Sequence, residues 1–173
     1  RLGVKDPEDW RKVLPVINRM PLTHVTVHPR IAVQQYSGDL YMAEFAELLK
    51  VSAHPVIFNG DLMTPADIDR IKADHHAVAG VMIGRGLLAD PALAVEWREG
   101  TVWPESFRMQ KLMEFHRLLL EHYTATVSGD GQVLQKIKPF WDYLEPVIGH
   151  KAAKAIRKAT TLSKYHAAVR SIQ

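Results

Sequence analysis

Three short polar segments contain the residue types that hold an anionic ligand: His28-Pro29-Arg30, Asn59-Gly60-Asp61 and Gly84-Arg85-Gly86. Glycine lets backbone N–H groups approach an anion closely, and arginine adds a forked pair of charged hydrogen bonds. Each segment alone is also compatible with an ordinary turn or, for His28, with a half-buried histidine. Their positions make them more informative, because each segment directly follows a predicted strand.

The elements around these segments alternate between strand and helix. Short apolar runs, typical of strands buried on both faces of a parallel sheet, occur at Val25–Val27, Pro55–Phe58 and Gly80–Ile83. Helices are predicted over residues 7–18, with Asp6 as N-cap, and over residues 40–50, and from Thr64-Pro65 and Asp90-Pro91 onward. Such alternation predicts parallel β/α units, and Arg1-Leu2-Gly3 is interpreted as the end of a fourth strand. Because loops that follow parallel strands meet at one rim, we expect the three polar segments to lie together.

The pattern becomes purely helical after residue 103. Helices are predicted over residues 106–123, 132–145, 150–159 and 162–172. We therefore expect two domains, a partial β/α barrel over residues 1–103 and a helical domain over residues 104–173. The first range holds 11 basic and 13 acidic residues, whereas the second holds 11 and 6. The helical domain is thus a candidate anion-binding surface, the alternative being an ordinary solvated surface.

Basic residues in the helical range recur at helical spacing. Four of them predict one stripe on a single helix: Lys151, Lys154, Arg157 and Lys158. Lys136 and Lys138 lie just before the aromatic residues Phe140, Trp141 and Tyr143. Basic groups beside aromatic rings can contact RNA, but Phe140 and Trp141 are better interpreted as helical core.

Composition narrows the chemistry further. The 173 residues include no cysteine, so this chain has no disulfide, thiolate metal site or cysteine nucleophile. No apolar run approaches the ~20 residues of a membrane span, and no secretory segment opens the chain. The expected compartment is the cytoplasm, with no membrane partner. His75-His76 predicts no metal site, because adjacent side chains point in different directions.

The chain resembles the tRNA-dihydrouridine synthases, a flavin-dependent family. The matching stretches are Arg1-Leu2-Gly3, Thr26-Val27-His28-Pro29-Arg30, Gln35-Tyr36-Ser37-Gly38, Pro55-Val56-Ile57-Phe58-Asn59-Gly60-Asp61 and Gly80-Val81-Met82-Ile83-Gly84-Arg85-Gly86. Their order and spacing fit the second half of the family's barrel. Pro29 and Phe58 depart from the family pattern, which commonly has glycine and a smaller residue there.

The resemblance implies an α/β fold: the second half of a TIM-type (β/α)8 barrel followed by an all-α helical-bundle lobe that contacts tRNA. It implies FMN at the barrel rim, NADPH as reductant, and reduction of a tRNA uridine to 5,6-dihydrouridine. FMN contacts are implied for His28, Asn59, Gly60, Asp61, Gly84 and Arg85. Substrate or tRNA contacts are expected for Arg30, Lys136, Lys138, Lys151, Lys154 and Lys158.

The family's catalytic cysteine and flavin-contacting lysine belong to the barrel half that this chain lacks. We therefore expect no catalytic residue in this chain and no activity from it alone. Two other functions stay open, namely half of another FMN- or phosphate-binding barrel oxidoreductase and a non-catalytic tRNA-binding module. An open half barrel also exposes strand edges, which predicts self-association.

Overall fold

The computed structural model describes residues 1–172, which form two compact units divided between Gly86 and Leu87. This division falls earlier than the boundary expected after residue 103. Side-chain contacts explain the difference. The Glu96 carboxylate accepts hydrogen bonds from the backbone N–H of Trp103 and from the Arg108 guanidinium, which joins residues before 103 to the helical unit.

The first unit contains a three-stranded parallel sheet in the order β1-β2-β3. Its strands are β1 (Val25–Val27), β2 (Val56–Phe58) and β3 (Val78–Val81). Both strand pairs are parallel, as the alternation predicted. The third strand lies two residues earlier than expected, although the Met82 N–H still donates to the Phe58 carbonyl at 2.7 Å.

Three helices flank this sheet: α1 (Trp10–Ile17), α2 (Met42–Val51) and α3 (Pro65–Asp74). The predicted cap of α3 is confirmed, because Asp67 N–H donates to Thr64 Oγ1 and Thr64 N–H donates to Asp67 Oδ2. Helix α1 begins three residues later than expected. Asp6 instead closes a turn by accepting from the Glu8 N–H at 2.9 Å.

The core of this unit is formed where α2 and α3 meet the sheet. Phe45, Phe58 and Ile68 are fully buried there, and the rings of Phe45 and Phe58 pack edge to face at 5.1 Å. Burying such side chains contributes about 1.5–3 kcal/mol each.

The segment Arg1-Leu2-Gly3 is not a strand. Leu2 N–H donates to the Arg30 carbonyl at 3.1 Å, and the Gly3 carbonyl accepts from Ala32 N–H at 2.8 Å. Its partner is therefore the loop after β1, which includes a 3-10 helix (Ala32–Gln34). The expectation of a fourth strand was wrong because the hydrogen bonds of this segment go to irregular backbone.

Helices make up the rest of the described chain. In order they are α4 (Arg85–Ala89), α5 (Leu93–Glu99), α6 (Glu105–Thr126), α7 (Asp130–Ile137), a 3-10 helix (Lys138–Trp141), α8 (Glu145–Ile148), α9 (His150–Lys158) and α10 (Leu162–Arg170). The helix expected over residues 132–145 ends at Ile137, because Pro139 lacks the N–H that an α-helix needs. Trp141 and Tyr165 lie in the core of the helical unit, whereas Phe140 is only partly buried against it.

Candidate functional site

The three polar segments line one cavity of about 380 Å³ in the first unit. The structure brings together all six residues for which FMN contacts are implied: His28, Asn59, Gly60, Asp61, Gly84 and Arg85. They converge because the carboxyl ends of β1, β2 and β3 lie side by side. Arg1 and Tyr36, to which the sequence assigned no role, also line this cavity.

Asn59 ties the ends of the strands together. Its backbone N–H donates to the Val27 carbonyl at 2.9 Å, and its side-chain Nδ2 donates to the Met82 carbonyl at 2.8 Å. The residue thus spans from the end of β1 to the segment after β3. The amide side chain has a structural task here and still leaves its carbonyl oxygen available to a ligand.

Asp61 is the electrostatic centre of the cavity wall. Arg30 donates to both of its carboxylate oxygens, with Nη1 lying 2.9 Å from Oδ1. Arg85 Nη2 donates to the same Oδ1 at 2.7 Å. The Arg30 hydrogen bond and charge, together with Arg85, lower the pKa of Asp61. Asp61 is therefore a carboxylate throughout the neutral range.

Arg30, which the resemblance places at the rim, is buried in the structure. The residue is 4% exposed, and its guanidinium donates to Asp61 and, from Nε and Nη2, to the Gly38 carbonyl. These partners satisfy the charge of the buried guanidinium. Through these hydrogen bonds Arg30 fixes the position of the Asp61 carboxylate.

The balance of charge at the cavity is positive. Arg1 and Arg85 line it, and Asp61 is compensated by the buried Arg30. The guanidinium carbons of Arg85 and Arg1 lie 4.4 Å and 5.5 Å from the centroid of the Tyr36 ring. Two cationic groups around one small cavity favour an anionic ligand.

His28 carries an unsatisfied polar atom in the same cavity. Its Nδ1 is buried without a hydrogen-bond partner among residues 1–172. Burial, then the charges of Arg1 and Arg30, lower the pKa of His28 to about 4. The ring is therefore neutral at pH 7. An unpaired buried polar atom costs about 1–3 kcal/mol, a cost that a bound ligand with the right group removes.

The predicted basic stripe forms on α9. Lys151, Lys154 and Lys158 are exposed, while the opposite side of the helix buries Ala152 and Ile156. Its fourth member, Arg157, is paired with Glu145 at 2.8 Å. Lys136 on α7 is also exposed. Lys138 differs, since it is half-buried and its Nζ donates to the Arg157 carbonyl at 3.0 Å, an interaction that stabilises the end of α9.

Comparison with known proteins identifies the family. Residues 1–169 match the dihydrouridine synthase (Dus) family. The chain belongs to this family. Similar proteins include the human tRNA-dihydrouridine(47) synthase [NAD(P)(+)]-like, 31% identical over 133 residues, or 75% of this chain and 20% of the relative. The probable tRNA-dihydrouridine synthase of Treponema pallidum is 31% identical over 122 residues, or 66% of this chain and 35% of that protein.

A probable tRNA-dihydrouridine synthase of Aquifex aeolicus is 28% identical over 99 residues, covering 57% of this chain and 31% of the relative. The chain thus spans about a fifth to a third of the length of the curated relatives it matches. No helix within residues 1–172 has the length and apolar character needed to cross a membrane.

Sequence reasoning predicted that the three polar segments lie together but missed the contacts among them. Tyr36 belongs to a stretch that resembles the family, yet nothing in the sequence indicates that its ring lies over Arg85. The pairing of Arg30 with Asp61, 31 residues apart, is equally invisible in one sequence. Asp61 is the single acidic residue in the three polar segments, which also contain Arg30 and Arg85. This composition was a usable signal for an ion pair within the site.

Proposed function

We propose that this chain is the C-terminal half of an FMN-dependent tRNA-dihydrouridine synthase. In this proposal the three β/α units are the second half of a (β/α)8 barrel, and the helices after residue 103 contact tRNA. The observation that carries the proposal is the positively charged cavity where three parallel strands end, lined by the residues of the family's flavin loops. Active sites of such barrels lie at this end of the strands.

The residues present fit a flavin mononucleotide. A cavity of about 380 Å³ lies within the usual range for small-molecule sites, and two arginines suit a phosphate dianion. A Cβ placed on Gly84 would meet no heavy atom within 4 Å, so the backbone there is open to a ligand. The buried Nδ1 of His28 has no hydrogen-bond partner among residues 1–172, and a polar ring system such as that of a flavin supplies one. When bound, FMN supplies hydride transfer, with NADPH as the reductant.

In this proposal the side chains of this chain bind the flavin and orient it. Arg85 and the Gly84 backbone hold the phosphate, while His28 and Asn59 contact the flavin rings. Because His28 is neutral, it offers one donor and one acceptor nitrogen without adding charge beside the flavin. Phe58, larger than the family's usual residue, packs on Phe45 instead of lining the cavity. That departure therefore leaves the flavin site open.

In this proposal the proton donor is the family's cysteine, and the sequence of this chain contains no cysteine. The acid that protonates the uracil comes from the other barrel half in this proposal, so this chain alone is inactive. Uridine reaches the flavin by leaving its base stack. The exposed lysines of α7 and α9, with Lys138 of the 3-10 helix that donates to the end of α9, contact the phosphate backbone and position the tRNA without reading its sequence.

Flavin titration tests the proposal directly. Purified chain should quench FMN fluorescence, and Arg85→Ala should weaken FMN binding by at least roughly tenfold, the scale of one lost charge-assisted hydrogen bond. Arg70→Ala, which removes an exposed arginine elsewhere in the same unit, is the matched control and should bind as wild type. Equal FMN affinity in wild type and Arg85→Ala would contradict the proposal.

Two smaller expectations belong to the same proposal. The edge of β1 that β2 leaves unpaired predicts self-association of the isolated chain, which sedimentation measures. The cytoplasm is the expected compartment, where tRNA is the substrate. A barrel oxidoreductase acting on small molecules is the rival function, and it predicts FMN binding without tRNA binding.

A further inference from the structure

Arg85 is held from two sides inside the cavity. Its Nη2 donates to Asp61 Oδ1 at 2.7 Å, and its guanidinium carbon lies 4.4 Å from the centroid of the Tyr36 ring. A guanidinium at this distance from an aromatic face is attracted by the ring quadrupole. The two contacts together restrict a long side chain that is still 32% exposed.

The two residues that contact Arg85, namely Asp61 and Tyr36, are connected through the buried guanidinium of Arg30. Arg30 donates to the Asp61 carboxylate and also to the Gly38 carbonyl, two residues beyond Tyr36. The loop that carries Asp61 and the loop that carries Tyr36 are therefore joined through one guanidinium that is 4% exposed. This connection fixes the separation between the two groups that hold Arg85.

The backbone is strained at the same two places. Gln35 and Asp61, with φ of 51° and 46°, are the non-glycine residues with positive φ among residues 1–172. Gln35 directly precedes Tyr36, and Asp61 is the other contact of Arg85. Non-glycine residues adopt such angles uncommonly, and they persist where the surroundings impose them, often at ligand sites.

Arg85 retains donors for a ligand in this arrangement. A guanidinium carries five N–H donors, and within residues 1–172 Arg85 makes its hydrogen bond through Nη2 alone. The Nε–H, both Nη1–H groups and the second Nη2–H remain, and that Nη2–H forms a bidentate pair toward an oxyanion with the neighbouring Nε–H or Nη1–H. Holding the side chain in advance lowers the conformational entropy lost on binding.

We propose that Tyr36 is a positioning residue that, together with Asp61, holds Arg85 ready for the phosphate of the flavin. The inference rests on the proposed function, because it takes that phosphate as the ligand of Arg85. Tyr36 acts on the phosphate through Arg85, so its aromatic face matters and its hydroxyl does not.

Comparing FMN with riboflavin isolates this role, because the two flavins differ by the phosphate. The dissociation constants of both are measured by fluorescence quenching with the full chain, and their ratio reports the hold on the phosphate. Wild type is compared with Tyr36→Leu, which removes the aromatic face, and with Tyr36→Phe, which keeps it. Arg85→Ala gives the ratio of dissociation constants expected when the contact with the phosphate is lost.

We expect wild type to prefer FMN and Tyr36→Leu to lower the preference roughly threefold to fivefold, the scale of a partly exposed cation–π contact. Riboflavin affinity should stay the same, and Tyr36→Phe should keep the wild-type preference within about twofold. Tyr36 is 61% exposed, so its replacement should leave the fold intact, which thermal unfolding by circular dichroism verifies.

The outcomes separate the two proposals. If Arg85→Ala abolishes the preference for FMN while Tyr36→Leu keeps it, the flavin site stands and the role of Tyr36 is overturned. A Tyr36→Phe variant as weak as Tyr36→Leu overturns it too, because the aromatic face is then not what matters. Wild type that binds neither flavin, or both equally, contradicts the proposed function and the inference with it.

Discussion

Arg30 donates hydrogen bonds to both carboxylate oxygens of Asp61, and it does so from a position that is 4% exposed. Lysine cannot reproduce this arrangement, because a single ammonium does not bridge two carboxylate oxygens and the Gly38 carbonyl at once. We predict that Arg30→Lys lowers the free energy of unfolding by about 1–3 kcal/mol, measured by urea denaturation. Arg19→Lys, at an exposed position, is the control. Equal urea midpoints for the two variants would show that the paired hydrogen bonds from Arg30 to Asp61 contribute nothing to stability.

Tyr165 joins two buried polar groups in the helical unit. Trp141 Nε1 donates to its hydroxyl oxygen at 2.7 Å, and His116 Nε2 lies 2.6 Å from the same oxygen. We predict that the oxygen, which accepts from Trp141, gives its single hydrogen to His116 Nε2, so that the proton of the His116 ring resides on Nδ1. Tyr165→Phe leaves both partners unpaired and should cost about 2–4 kcal/mol of unfolding free energy. Tyr143→Phe, at a residue 42% exposed, should cost far less.

The tautomer of His116 is independently measurable. Nitrogen chemical shifts in a long-range proton–nitrogen NMR spectrum distinguish protonated Nδ1 from protonated Nε2. We predict the Nδ1–H form at neutral pH for wild type. A spectrum showing Nε2–H would mean that the Tyr165 hydroxyl accepts from both neighbours, which reverses the assigned hydrogen bond.

Stability should decrease at mildly acidic pH. Burial lowers the pKa of His116 to about 4, and burial with nearby arginines does the same for His28, whereas an unfolded histidine titrates near 6.5. As the pH falls below 6.5 the unfolded chain takes up these protons first, so stability is complete above pH 6.5 and is lost progressively toward pH 4. The loss from His116 is on the order of 2–3 kcal/mol, and the less buried His28 contributes less because solvent screens it.

Unfolding free energies at pH 7.5, 5.5 and 4.5 measure this dependence. His116→Gln should remove a large part of the slope of unfolding free energy against pH, while His24→Gln, at an exposed position, should keep that slope. A slope unchanged by His116→Gln would show that this histidine does not titrate with a lowered pKa.

Glu96 is the buried acid of the helical unit, with a side chain 1% exposed. It accepts from the Trp103 N–H and from two nitrogens of Arg108. Glu96→Gln keeps the shape but puts an amide N–H against a guanidinium, so we predict a loss of about 2–4 kcal/mol in unfolding free energy. Glu99→Gln, whose side chain is 48% exposed, is the matched control and should be near neutral.

The stripe on α9 predicts a salt-dependent effect on tRNA binding. Changing Lys151, Lys154 and Lys158 together to glutamate should abolish measurable tRNA binding at moderate salt, because each phosphate contact adds about 0.7–0.9 to the slope of log affinity against log salt. The same charge change made at Lys5, Lys12 and Lys50 of the first unit is the control. Equal losses in both triple variants would attribute binding to net charge and not to the stripe.

The sequence by itself determined the elements and their order. Apolar runs and caps such as Thr64 with Asp67 act between near neighbours, so three parallel strands, their helices and the shared rim of the polar segments were predictable. Residue-by-residue resemblance also indicated the family. The helix predicted over residues 132–145 failed at Pro139, where a missing N–H outweighed a helical pattern.

Only the tertiary structure decided how the site residues pair. Arg30 with Asp61, Arg85 with Tyr36, and His116 with Tyr165 join residues far apart in the chain, and no local periodicity encodes such contacts. Burial then set the chemistry, because desolvation leaves His28 neutral and because the buried Arg30 donates to Asp61. Residue types are written in the sequence, but partners and solvent exposure exist only once the chain has folded.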